Sequence, residues 1–236
     1  MPLGLPSQEG LCWIVGDFAM ILVTGASGNN GAEVIKQLSR SGAAVRAMSR
    51  RPHERISEGS PGVEFVTADF DDPASLRRAL DGAGSAFLVT NSSERVQAQQ
   101  LSFVEAARAV SVKRVVYVSQ LHATRDSRVR FLRYHAVVED AIAASGMAFT
   151  NLRPNLYMQG LFGYHSSIAS EGRFFAPAAD SRISIVDVRD IAAIAVVALT
   201  EAGHEGKTYN ITGPGAYPLR DGDTAFEGAR AAGNVR

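Results

Sequence analysis

Cysteine is nearly absent: Cys12 stands alone in 236 residues, so no internal disulfide can form, and a small disulfide-stapled scaffold is excluded. The same scarcity fits a reducing, cytoplasmic setting. Charge of one sign is missing too, with 24 Lys plus Arg against 24 Asp plus Glu, so nothing global draws the chain to nucleic acid or to an anionic membrane. Long apolar runs are lacking at the start. Leu11-Cys12-Trp13-Ile14-Val15 is too short to span a bilayer and has no basic flank of the kind a secretory leader carries. Metal-ligand spacing is also missing: His53, His165 and His204 are scattered, and His204-Glu205 belongs to neither a His-x-x-x-His helix nor a cysteine cluster, so no metal site is expected.

What is present is enough apolar material, 46% of the residues, to bury a substantial core. It is arranged as alternating strands and helices. Apolar strands are read at 21–23, 44–49, 63–67, 85–90, 113–119, 148–152 and 207–211. Helical periodicity lies between them at 32–38, from Pro73 onward, at 94–110, 129–144 and 190–201. In the helix at 94–110, Val96, Phe103, Val104 and Ala107 face inward; in that at 190–201, Ile191, Ile194, Val197 and Ala198 do. Val115-Val116-Tyr117-Val118 is almost continuously apolar, as in parallel strands covered on both faces. The expected fold is α/β, a doubly wound, mostly parallel sheet of Rossmann type with a small C-terminal substrate-side subdomain. Residues 1–19 read as an extension, with an edge strand at 11–15 as the rival reading, and the domain is expected to begin at Met20. Residues 20–155 form the nucleotide-binding part. Residues 156–236 form the smaller region, interleaved with the main fold, with truncation left open as an alternative; Tyr157, Phe162, Tyr164, Phe174 and Phe175 serve there as pocket or core, and a poorly anchored tail runs over 216–236.

The first strand runs directly into Gly25-Ala26-Ser27-Gly28-Asn29-Asn30-Gly31 and then into a helix. Each glycine has a physical task. Gly25 allows a tight turn off the strand, Gly28 lets the backbone approach a pyrophosphate, and Gly31 lets the helix pack closely on the sheet. Amides at the helix start are then free for phosphate. The second strand ends in Arg50-Arg51, where an NAD-binding chain would carry an acid for the ribose hydroxyls. Guanidinium groups suit the 2′-phosphate of NADP instead, so NADPH is the preferred cofactor and NAD the lesser one.

Several segments together resemble the NmrA-like, atypical branch of the short-chain dehydrogenase/reductases, especially its quinone oxidoreductase and triphenylmethane reductase relatives. They are Val23 to Gly31, Ser49-Arg50-Arg51-Pro52, Ala68-Asp69-Phe70, Tyr117 to His122, His135 to Glu139, Ser145-Gly146-Met147, Thr150 to Pro154 and Glu201 to Tyr209. The resemblance covers about 20–215. It implies that Gly25, Ser27, Gly28, Asn29 and Asn30 surround the pyrophosphate and that Arg50 meets the 2′-phosphate. It further implies Asp69 and Phe70 near adenine, and Thr90 and Asn91 near a ribose.

One departure from the wider superfamily is chemical. Counted back from Glu139 and Ser145-Gly146, its Tyr-x-x-x-Lys pair falls on Phe131 and His135, and Phe131 has no proton to give. Tyr134, one residue before His135, would point about 100° around the helix and is a poor substitute. Hydride transfer to a quinone-like or conjugated aromatic acceptor does not need that tyrosine, because charge spreads over the acceptor, and this is what the resemblance implies. Phe131, His135 and Ser119 are therefore the candidate catalytic positions, with His122 close by. Glu139, four residues after His135, either fixes the imidazole tautomer or pairs with an arginine. The alternative function is a non-catalytic dinucleotide-binding redox sensor that acts on a protein partner; a homodimer is the other association left open.

Overall fold

The computed structural model describes residues 19–51, 62–171 and 182–218. In chain order the elements are β1 (Met20–Val23), α1 (Asn29–Arg40), β2 (Val45–Ser49), β3 (Val63–Thr67), α2 (Pro73–Leu80), β4 (Ala83–Leu88), α3 (Val96–Ala109), β5 (Arg114–Val118), α4 (Arg130–Ala144) and β6 (Ala148–Pro154). There follow β7 (Leu156–Tyr157), a 3-10 helix over Met158–Tyr164, α5 (His165–Glu171), β8 (Arg182–Ile183), β9 (Ile185–Val186), α6 (Val188–Thr200), β10 (Lys207–Ile211) and β11 (Tyr217–Pro218). The rival strand at 11–15, His53, Phe174, Phe175 and 219–236 lie outside the described residues.

Seven strands form one parallel sheet in the order β3-β2-β1-β4-β5-β6-β10. Strand order reverses between β1 and β4, which opens a crevice at the carboxyl ends of those two strands. Both sheet faces are covered. Ile21 and Val23 pack with Val34, Ile35 and Leu38 of α1 and with Ile191 and Ala195 of α6. Leu22, between them in sequence, packs on the opposite face with Leu76 of α2, Phe103 of α3, and Val138 and Ile142 of α4. That two-sided burial is why the central strands β1 and β5 read as nearly continuous apolar runs and not as alternating ones. The doubly wound α/β expectation holds.

Local chemistry sets the helix starts. Asp72 accepts from the amides of Ala74 and Ser75 just ahead of Pro73, and Asp187 accepts from the amide of Arg189. Two sequence expectations shift. The fourth strand ends at Leu88, not at residue 90, because Thr24 Oγ1 captures the chain beyond it: it accepts from Val89 N at 2.9 Å and lies 2.9 Å from Val89 O. In α6 the buried positions are Val188, Ile191, Ala192, Ala195, Ala198 and Leu199, while Val197 is 37% exposed. Its neighbours on a 3.6-residue period already fill the sheet-facing stripe. Two further small sheets escaped the sequence pattern, parallel β7-β9 and antiparallel β8-β11, each of two-residue strands too short to carry a period.

Candidate functional site

A cleft of about 880 Å³ opens along the carboxyl ends of β1, β2, β4 and β5 and is closed at one end by α4 and Tyr157. Its floor is the glycine turn. Gly25 has φ +61°, and a Cβ there would lie 2.9 Å from the Val89 side chain. At Gly31 a Cβ would stand 2.2 Å from Gly25 O and 2.8 Å from Thr24 O, so only glycine lets α1 start this close to β1. Gly28 differs: the nearest atom to its Cβ position is Gly25 O at 3.3 Å, leaving open space on the cleft side. No side chain caps α1, in contrast to α2 and α6, so its first-turn amides have no side-chain acceptor.

Ser27, Gly28, Asn29, Asn30 and Gly31 all border the cleft, as do Arg50 from the end of β2, Asp69 and Phe70 after β3, and Thr90 and Asn91 after β4. Phe70 is held by the Phe103 ring, with centroids 5.9 Å apart. Asp69 accepts from Asp71 N at 3.0 Å, which fixes the turn leading to α2. Arg51 is an exception. It does not border the cleft; its carbonyl accepts from the Ser49 hydroxyl at the strand exit, and a bend there turns neighbouring residues to different sides. His122, with φ +64°, also lies off the cleft wall.

The other end of the cleft is formed by Ser119, Gln120, Phe131, Tyr134, His135 and Tyr157. Tyr134 therefore also borders the cleft. Phe131, Tyr134 and His135 are related by three and four residues, so they share one face of α4. Tyr157, on β7, is pushed up in pKa by burial, an effect partly offset by a hydrogen bond with the Asn30 side chain. Two residues that border this space, Asn30 and Ser119, each have a buried side-chain oxygen, Oδ1 and Oγ, without a hydrogen-bond partner. An unpaired buried polar group costs about 1–3 kcal/mol, so both atoms suit a polar ligand that fills the cleft.

Behind the wall lies a polar network that the sequence reading did not anticipate. Gln100 of α3, Tyr117 of β5 and His135 of α4 are all buried. Tyr117 Oη donates to Gln100 Oε1 at 2.9 Å and lies 2.6 Å from His135 Nδ1, and Gln100 Nε2 donates to Thr90 Oγ1 at 2.8 Å. Burial pushes the His135 pKa down to about 4 and raises that of Tyr117 well above its ordinary value, so His135 is neutral near pH 7. Gln100 was legible in principle, since it falls four residues after Val96 and three before Phe103 on the inward column of α3. Glu139 takes no part in orienting His135; it is bound to Arg153.

Among the described residues no group of His, Cys, Asp and Glu is placed to hold a metal, and no helix is long and apolar enough to cross a membrane.

A parallel sheet with a glycine turn at its switch point and a cleft across the strand ends defines a dinucleotide-binding α/β protein of the Rossmann class. The model of the NmrA-like family matches residues 18–218, and the chain belongs to that family. It is 34% identical over 214 residues to an NAD(P)H azoreductase of Xenophilus azovorans, an overlap of 91% of this chain and 74% of that protein. Among solved structures it resembles the Escherichia coli NADPH-dependent quinone oxidoreductase complexed with NADPH, with a TM-score of 0.80 at 30% identity over 90% of this chain and 76% of that one. It also resembles the Citrobacter triphenylmethane reductase complexed with NADP(H), with a TM-score of 0.80 at 25% identity over 89% and 75%.

Proposed function

We propose that this chain is an NADPH-dependent oxidoreductase that passes hydride directly to a quinone-like or conjugated aromatic acceptor. One observation carries the reading: a single cleft joins a glycine turn and an arginine at one end to a polar-aromatic pocket at the other, the span a dinucleotide needs to bring its nicotinamide to a substrate. The names of its relatives, an azoreductase, a quinone oxidoreductase and a triphenylmethane reductase, supply the acceptor class.

The chain's residues divide the work. Gly28 and the uncapped amides of α1 receive the pyrophosphate, and Arg50, exposed at the rim, meets the 2′-phosphate. Ser119 and Asn30 offer their unpartnered oxygens to the nicotinamide half. Phe131, Tyr134 and Tyr157 give flat walls against which an aromatic acceptor stacks and from which water is excluded. A bound reduced dinucleotide would supply the hydride; a quinone or azo acceptor would take one proton from water as well, whereas a cationic triphenylmethane dye would be neutralised by the hydride alone. No tyrosine–lysine pair is required, because the acceptor delocalises the charge that a simple carbonyl would concentrate on oxygen.

The presence of Phe131 at the position of the usual tyrosine also favours a second reading, a redox sensor that binds dinucleotide without turnover; fold alone does not separate the two. The purified chain, mixed with NADPH and a panel of quinones, azo dyes and triphenylmethane dyes, decides between them. Oxidation above the uncatalysed rate supports the enzyme. Tight NADPH binding with no oxidation across the panel supports the sensor.

A further inference from the structure

Gln100, Tyr117 and His135 stand on three different elements, yet their polar atoms form one line behind the cleft wall. The direction of each bond follows from the donor inventory. An amide oxygen only accepts, so the single Tyr117 proton goes to Gln100 Oε1. Tyr117 Oη is then left to accept from His135, whose Nδ1 is 2.6 Å away. A neutral imidazole carries one N–H. If it is on Nδ1, the lone pair is on Nε2, and among the described residues Nε2 has no partner while His135 borders the cleft.

We propose that Gln100 and Tyr117 are positioning residues that lock His135 in the Nδ1–H form, so that its Nε2 presents a hydrogen-bond acceptor to an aromatic substrate bearing an O–H or N–H. The clause about substrate rests on the hydride-transfer reading; the tautomer does not. Three further observations agree. Burial keeps the imidazole neutral, as the form requires. Glu139, the other group able to orient a histidine on this helix face, is taken up by both arms of Arg153. Gln100 is held in its orientation at the far side, where its amide nitrogen donates to Thr90 Oγ1. Thr90 borders the same cleft, so its own proton is free to be donated there. The buried line thus gives the cleft a fixed polarity, with a donor at Thr90 and an acceptor at His135. His135 so held does not deliver a proton; where the acceptor needs one, as a quinone does, water supplies it, so that the quinone gains one hydride and one proton in balance.

Nitrogen-15 spectra of the full chain, labelled at the histidine rings and assigned by difference against His135→Asn, test the tautomer without any turnover. The expected pattern near pH 7 is a protonated Nδ1 and a bare Nε2. In Gln100→Met, Tyr117 loses its acceptor and turns its proton toward His135 Nδ1, so the pattern inverts to Nε2–H. Tyr117→Phe, which removes the partner altogether, also shifts the population toward Nε2–H. A protonated Nε2 in the unaltered chain, the result of a reversed Gln100 amide, would overturn the proposal, as would a pattern indifferent to both substitutions. The ligand half is read by equilibrium binding of a hydroxynaphthoquinone and its methyl ether in the presence of NADP+. The hydroxyl form should bind about fivefold more tightly, and the preference should vanish in Gln100→Met, as expected for one neutral hydrogen bond. Equal binding of the two probes to the unaltered chain contradicts the acceptor role. A failure to turn over NADPH would leave the spectra unchanged, so the two readings fall separately.

Discussion

Glu139 and Arg153 are joined at two points: Arg153 Nε donates to Oε1 at 2.9 Å and Nη2 to Oε2 at 2.5 Å, with the carboxylate almost fully buried. The pair ties α4 to β6 and raises the Arg153 pKa, chiefly through these hydrogen bonds. It also occupies both carboxylate oxygens of Glu139, so that Glu139 does not orient the His135 ring by a hydrogen bond. Removing one partner strands the other. Arg153→Met should lower the unfolding free energy by about 2 kcal/mol, less than a wholly buried pair because the guanidinium keeps some solvent contact. Denaturant midpoints of the variant and of Glu139→Gln/Arg153→Met would check this, the double variant recovering part of the loss.

His135 makes stability depend on acid. Its folded pKa is about 4 against 6.5 for an exposed imidazole, so the unfolded chain takes up a proton that the folded chain refuses. Stability from this group is fully present above pH 6.5 and is lost as pH falls toward 4, by roughly 3 kcal/mol at about 1.4 kcal/mol per pH unit. The groups around it are Tyr117 from β5, Tyr134 on its own helix, and the Glu139–Arg153 pair. Chemical denaturation at a series of pH values should show a shallower decline in His135→Asn than in the unaltered chain.

The two helix-start glycines should separate folding from binding. Gly31→Ala drives a methyl to within 2.2 Å of a carbonyl oxygen and should destabilise the fold by on the order of 3 kcal/mol. Gly28→Ala meets only one atom, at 3.3 Å, and its backbone is extended, so the free protein should lose within about 1 kcal/mol. Dinucleotide affinity should fall sharply in that variant, because the methyl fills the side from which a pyrophosphate approaches. Thermal melts with and without NADPH would distinguish the two effects.

Arg50 borders the cleft, is exposed and makes no ion pair among the described residues. Arg50→Ala should weaken NADPH binding about tenfold and NADH binding by less than about twofold, the difference shrinking as salt rises. Equal losses for both dinucleotides would remove the case for NADPH. Fluorescence titration of each nucleotide at two salt concentrations gives the comparison.

The strand and helix order was legible because the central strands β1, β2, β4 and β5 are largely buried and α1, α2, α3, α4 and α6 each carry an inward stripe. The glycine turn was legible for the same kind of reason: close approach admits one residue type, and the contacts at Gly25 and Gly31 bear that out. The polar end of the cleft was harder. The angle of Tyr134 from His135 alone points it away from the site, whereas its three-residue spacing from Phe131 puts both on one face. Tyr157 was one of several aromatics in a region without a period, and it meets the cleft from an element far along the chain from the glycine turn. Gln100 and Tyr117 lie on an inward column and in an apolar strand, where periodicity marks burial but says nothing about which polar atoms meet.

Direct hydride transfer is tested most closely by following the label. The chain, shown to be free of flavin, is mixed with NADPH deuterated at C4 on either face and with a triphenylmethane dye, whose central carbon keeps what it receives. The expected result is a leuco dye one mass unit heavier with one of the two labelled cofactors and unlabelled with the other, together with oxidation of one NADPH per dye. A leuco dye without deuterium from either cofactor, or bound NADPH that is never oxidised, would contradict hydride transfer in this cleft.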